Sequence, residues 1–252
     1  MRWAPYLLII PVVIFVALSL SGCVSTSPAI PSLYIVSLTP SSFNKNISST
    51  PGQQLEVRIG YFGICGDDGN DQRCTTSNSV DVITSTLFPG PSTNGTSNQQ
   101  VVPSLEIRDL VATARELQKH IFNSVLAVGG FLFLVGLVFL FLLRRDVSKG
   151  PNPEKAGRSK VYHHGTYIFL YFGTTLILTA ALATTQMAGA LQFASEATDS
   201  VTILMEAGTA IQVLQWMAFG FAAMFSALVP FLVKGAAEKA NAAGEEYYKE
   251  EV

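Results

Sequence analysis

Four stretches of this chain, Tyr6–Gly22, Ile121–Leu143, Gly165–Gln186 and Ala207–Val233, contain no Asp, Glu, Lys, Arg or His. Nothing else in the sequence constrains the fold as strongly. A helix rises about 1.5 Å per residue and a bilayer's hydrocarbon core is about 30 Å thick, so a span needs roughly 20 residues. The last three stretches meet that length, and the first meets it narrowly. None alternates with the period of a barrel strand, and lipid offers no partner to an open sheet edge, so helices are expected. Charged residues make up 13% of the chain, about half the share of a soluble protein. The net charge of −2 gives no general attraction to nucleic acid, which is not expected as a partner. The predicted fold class is therefore a membrane all-α protein with four transmembrane helices.

The basic residues set the expected orientation. Residues 144–164 hold Arg144, Arg145, Lys149, Lys155, Arg158 and Lys160, whereas residues 187–206 hold Glu196, Asp199 and Glu206 and no Lys or Arg. Cytoplasmic loops carry the excess of Lys and Arg. This predicts a cytoplasmic N-terminus (1–5), a first span (6–22), an extracellular loop (23–120), a second span (121–143) and a basic cytoplasmic loop (144–164). A third span (165–186), a second extracellular loop (187–206), a fourth span (207–233) and a cytoplasmic tail (234–252) follow. Both termini are then cytoplasmic, and the bilayer itself is the first expected partner.

The first stretch has two further readings. Arg2, the apolar run and the small residues Ser19, Ser21 and Gly22 also suit a cleaved leader. Leu20-Ser21-Gly22-Cys23 resembles a bacterial lipoprotein box, in which Cys23 would be lipidated. Against both, the apolar run is longer than a leader's usual core of about 7–15 residues.

In the long loop, Ser32–Leu38 and Leu55–Ile59 have strand character, the second alternating apolar with charged residues, and Asp81–Leu87 is a third candidate strand. Pro40–Gly52 and Pro89–Gln100 read as exposed turns and contain the glycosylation sequons at Asn46 and Asn94. From Leu105 the apolar period becomes helical, predicting an amphipathic helix that runs straight into the second span.

Of the three cysteines, Cys65 and Cys74 share the outer loop, where an oxidising compartment favours a disulfide. Metal binding by two cysteines needs further ligands at suitable spacing, and none is present. Asp67, Asp68 and Asp71 between them are candidate calcium ligands. They lack the spacing and the closing bidentate Glu of a Ca2+ loop, so a solvated turn is the plainer reading. The spans carry none of the ionisable groups that mark ion or proton paths, and no nucleophile elbow, phosphate loop or zinc motif appears. No enzyme activity, metal or cofactor is expected.

Gly60-Tyr61-Phe62-Gly63-Ile64-Cys65, followed by Cys74, resembles the glycine–cysteine pattern of the claudin superfamily in fungi. Within it the chain is similar to the calcium-regulator and membrane-fusion family of pheromone-induced mating proteins. Val24–Pro31 after the first span and Leu214-Gln215-Trp216 early in the last span add to the resemblance, which runs from Pro5 to about Lys234. Animal claudins carry a tryptophan before the first cysteine where this chain has Phe62 and Ile64, so the likeness does not extend to paracellular pores. The resemblance implies a claudin-like fold, a membrane all-α four-helix transmembrane bundle with a small extracellular β-sheet, a plasma-membrane location, a role in low-affinity calcium influx or membrane fusion during mating, and partners among membrane proteins, either calcium-channel components or further copies of itself. A pore-forming calcium-conducting subunit and an eisosome-type four-span organiser are the alternative readings.

Overall fold

A computed structural model describes residues 4–27, 30–40, 55–67, 71–76, 79–88, 104–121, 125–148, 156–197 and 203–250. A short 3-10 turn (Ala4–Leu8) leads into α1 (Ile9–Ser21). Then come β1 (Val36–Pro40), β2 (Glu56–Ile59), β3 (Ile64–Asp67), β4 (Gln72–Thr75), α2 (Val80–Leu87), α3 (Ser104–Ile121), α4 (Val125–Ser148), α5 (Ala156–Ala197), β5 (Ile203–Ala207) and α6 (Thr209–Glu250). The chain forms two compact units, one of residues 1–16, 125–180 and 216–252, the other of residues 17–124 and 181–215.

The first unit is helical. Val125–Asp146, Val161–Ser195 and Thr209–Lys234 are long and apolar enough to cross a membrane, and Tyr6–Ser21 is a shorter apolar helix. The chain is therefore a membrane protein with three membrane-length helices among the described residues. The segment expected as the third span, 165–186, lies inside a much longer helix, because 187–195 is uncharged and Ala-rich, which lets the helix propagate. Within this unit α4 and α5 approach closely. A Cβ on Gly173 would lie 2.7 Å from the Phe133 amide nitrogen, so only a bare backbone fits. Phe133 and Phe225 meet edge-on at 6.1 Å, Phe139 and Phe169 stack at 5.4 Å, and Tyr6 lies 6.5 Å from Phe225. The Thr174 and Ser226 hydroxyls share a 3.0 Å hydrogen bond. Phe131, Phe141 and Phe231 point outward, each more than 60% exposed, as suits rings whose solvent is lipid.

The second unit is built on an antiparallel five-stranded sheet in the order β4-β3-β2-β1-β5. Val57 and Ile59 are buried while Glu56 and Arg58 between them are half-buried, the period of two that one packed face demands. β2 matches the strand expected over Leu55–Ile59. β1 starts later than Ser32 because Leu33 N–H bonds the Ile30 carbonyl at 3.0 Å, which holds the chain there in a turn. β3, β4 and β5 were not anticipated. β5 falls in the expected second loop and pairs with β1 from Val36↔Ala207 to Pro40↔Ile203.

Asp81–Leu87 is a correction: it is helix α2 and not a strand. Its Val, Ile and Thr residues favour strands as a weak prior. Ile83 and Leu87, four apart, are both buried, so the packing selects a helical period. The Thr84 and Thr86 hydroxyls bond the Val80 and Val82 carbonyls at 2.8 and 2.7 Å, which suits threonine in a helix. α3 is the amphipathic helix expected from Leu105, burying Leu110, Val111 and Ala114, and its Arg108 pairs with Asp81 of α2 at 3.1 Å. Residues 122–124, between α3 and α4, lie outside the described residues.

Candidate functional site: the glycine turn and its anchor

β2 ends at Ile59 and β3 begins at Ile64, so Gly60–Gly63 is the connecting turn, closed by Gly60 N–H on the Gly63 carbonyl at 2.9 Å. The end of α1 lies directly against it. A Cβ on Gly60 would collide with the Gly22 carbonyl, and one on Gly63 with the Cys23 carbonyl. Two backbones touch here with no side chain between them, which is the physical content of the two motif glycines. α1 ends through Cys23 in the left-handed region, φ 56°, a conformation common at helix C-termini.

Between the glycines the two aromatics diverge. Phe62 is 52% exposed, whereas Tyr61 is 8% exposed. The Tyr61 hydroxyl shares a 3.1 Å hydrogen bond with Thr184 Oγ1 of α5 and accepts one of 2.7 Å from Gln215 Nε2 of α6. Burial pushes the Tyr61 phenol pKa up, and the bonds to Thr184 and Gln215 pull it partly back. On the other side of the turn, Gln118 Nε2 of α3 faces the carbonyls of Gly60, Tyr61 and Gly63 at 3.0, 3.4 and 3.4 Å. Three helices therefore hold one four-residue turn.

The disulfide lies immediately beyond. Cys65 and Cys74 are directly opposed in the β3–β4 register and bonded, with Cα atoms 4.0 Å apart. Cys65 also opposes Arg58 of β2. Arg58 makes a two-pronged bond to Glu56 at 3.0 and 2.8 Å and lies over the Tyr34 ring at 5.3 Å. The bonded Glu56 carboxylate raises the Arg58 pKa further.

Cys23 is a free thiol with no exposed surface. Burial is the chief cause that lifts it from 9.0 to about 12, so it stays protonated and bonds the Leu33 carbonyl at 3.7 Å. A thiol enclosed in this way offers no room for an acyl chain.

Of the acidic candidates, Asp67 and Asp71 flank the β3–β4 connection. Asp67 sits opposite Gln72 in the β3–β4 register, Asp71 pairs with Arg73 at 3.4 Å, and Asp68 lies outside the described residues. No group of three His, Cys, Asp or Glu placed to hold a metal ion occurs among the described residues. Asn46 and Asn94 also lie outside them. Sequence reasoning missed Gln118 and Thr184. Gln118 is one of several polar residues on an amphipathic helix, and only its reach to the turn carbonyls distinguishes it.

The family model for the Ca2+ regulator and membrane fusion protein Fig1 matches residues 41–234. The chain belongs to this family. No curated protein and no solved structure matches it. Among the described elements, the Fig1 match covers β2 to β5, α2 to α5 and α6 as far as Lys234. It takes in the glycine turn, the disulfide, Gln118, Thr184 and Gln215. It begins after α1 and β1, so the Gly22–Cys23 backbone that receives the turn comes from outside the Fig1 match.

Proposed function

We propose that this chain is a claudin-like four-span protein of the fungal plasma membrane that regulates low-affinity calcium influx or membrane fusion during mating. The family match joined to three membrane-length helices carries this reading. α1 is the fourth span. In the helical unit Tyr6 packs near Phe225, Phe15 lies 5.9 Å from Phe221, and a Cβ on Gly130 would lie 2.9 Å from Val16 Cγ1. Removal of α1 as a leader would strip those contacts and uncover Phe225, which is fully buried. Arg144 stacks over the Tyr6 ring at 5.1 Å, bringing the start of α1 to the basic end of α4. The positive-inside tendency then assigns both termini to the cytoplasm and the sheet to the outside.

A regulator fits better than a conductor, because the four charge-free stretches contain no Asp, Glu, Lys, Arg or His to line an ion path. Its partners are lipid and other membrane proteins, channel components or further copies, and it catalyses no reaction. Three experiments test the reading. Purified full-length chain in liposomes should pass no calcium current, while its reintroduction into deletion cells should restore pheromone-stimulated influx or cell fusion. A current from the purified chain would instead make it a pore. A tag at Asn94 should be reached by antibody on intact cells, and labelling only after permeabilisation would invert the topology.

A further inference from the structure

Two oxygen atoms in the second unit are fully buried with no hydrogen-bond partner among the described residues: Ser19 Oγ of α1 and Gln215 Oε1 of α6. Leaving such a group unbonded is costly; Gln72 Nε2 and Arg115 Nη1 also lack a partner, but these two oxygens lie on neighbouring helices. α1 and α6 run antiparallel, since Tyr6 lies near Phe225 and Phe15 near Phe221. In the second unit a Cβ on Gly22 would lie 3.1 Å from Ile211 Cδ1. About one helical turn from that contact along each helix lie Ser19 on α1 and Gln215 on α6. Tyr61 is the third wall. It follows Gly60, which abuts Gly22, and its hydroxyl accepts the bond from Gln215 Nε2 at 2.7 Å.

We infer that Ser19 and Gln215 hold a buried water molecule between α1 and α6, beside the Tyr61–Thr184 pair. Water is the occupant that suits this chemistry. Rotating the Gln215 amide by half a turn replaces the orphan oxygen with an orphan nitrogen, and water can accept from one as readily as it donates to the other. A cation could serve only the oxygen, and neither unpaired group carries a negative charge. The serine hydroxyl both donates and accepts, so a water there gains the two or more polar partners that a buried water needs. The site extends the hold on the glycine turn to Ser19 of α1.

A crystal structure of the full chain in lipid, at a resolution that shows ordered water, tests this. A peak about 2.7–3.2 Å from both Ser19 Oγ and the Gln215 amide supports it. An empty position, a direct Ser19–Gln215 bond, or a peak ringed by oxygens at about 2.3–2.6 Å overturns it, the last in favour of a metal ion. In thermal unfolding, Ser19→Ala and Gln215→Leu should each lower the midpoint by about 2–4 °C. The double variant should fall short of the sum, because the pair shares one occupant, and strict additivity overturns the proposal. Should Gln215→Leu fail to fold, Ser19→Thr must keep the peak and Ser19→Ala must lose it. A peak unmoved in Ser19→Ala sinks the idea. These readouts involve neither calcium nor fusion, so their failure leaves the functional reading standing.

Discussion

Gln215 Nε2 donates to the Tyr61 hydroxyl at 2.7 Å across 154 positions of sequence. With Thr184 on the same hydroxyl, this contact ties the turn between β2 and β3 to α5 and α6. The glycines around Tyr61 let the turn approach α1, and the tyrosine decides how it is held. Burial away from water makes each such bond costly to break one partner at a time.

Tyr61→Phe keeps the ring and removes the hydroxyl, leaving Gln215 Nε2 without its acceptor. The expected loss is about 1–3 kcal/mol, read from the denaturation of the purified chain in detergent. Phe62→Ala, at a half-exposed ring, should change stability by less than about 0.5 kcal/mol. Equal losses from the two would mean that Tyr61 acts through its ring alone.

Cys65→Ser and Cys74→Ser should produce the same surface-expression defect, and the double variant should be no worse. The bond closes a short loop between adjacent strands, and its removal should cost about 2–3 kcal/mol. Additive defects would show that the two sulfurs serve separate purposes.

Gly63→Ala places a methyl group on the Cys23 carbonyl. Because the obstacle is backbone, with no side chain free to swing aside, the expected cost is about 1–3 kcal/mol. The same substitution at Gly220, where an added Cβ meets nothing within 4 Å, is the control and should be neutral or stabilising. A Gly63→Ala protein as stable as the parent would refute the backbone contact.

Cys23 makes a pH prediction whose sign follows from its raised pKa. Below 9.0 the thiol is protonated both folded and unfolded and contributes no pH dependence. Between 9.0 and about 12 the unfolded chain releases the proton and the folded chain retains it. Stability attributable to this group therefore declines across that window, by about 1.4 kcal/mol per pH unit. Cys23→Ala should flatten the alkaline limb of the stability profile relative to the parent. Alkylation of Cys23 should be slow in the folded protein and fast in denaturant, whereas rapid labelling of the native chain would contradict its burial.

The apolar spans, the disulfide and β2 were legible in the residues because each rests on a local property. A run without charge reports its solvent directly, two cysteines in one short loop have few other partners, and alternation over Leu55–Ile59 needs no distant neighbour to be recognised. Asp81–Leu87 shows where this reasoning stops. Its side chains favour a strand, and only the surface covering Ile83 and Leu87 makes it a helix. The β1–β5 ladder and the Tyr61–Thr184–Gln215 bonds join segments more than 100 positions apart. No local pattern encodes such pairings. They are selected by burial in the assembled chain, where a polar atom cut off from water must find a partner wherever the fold brings one.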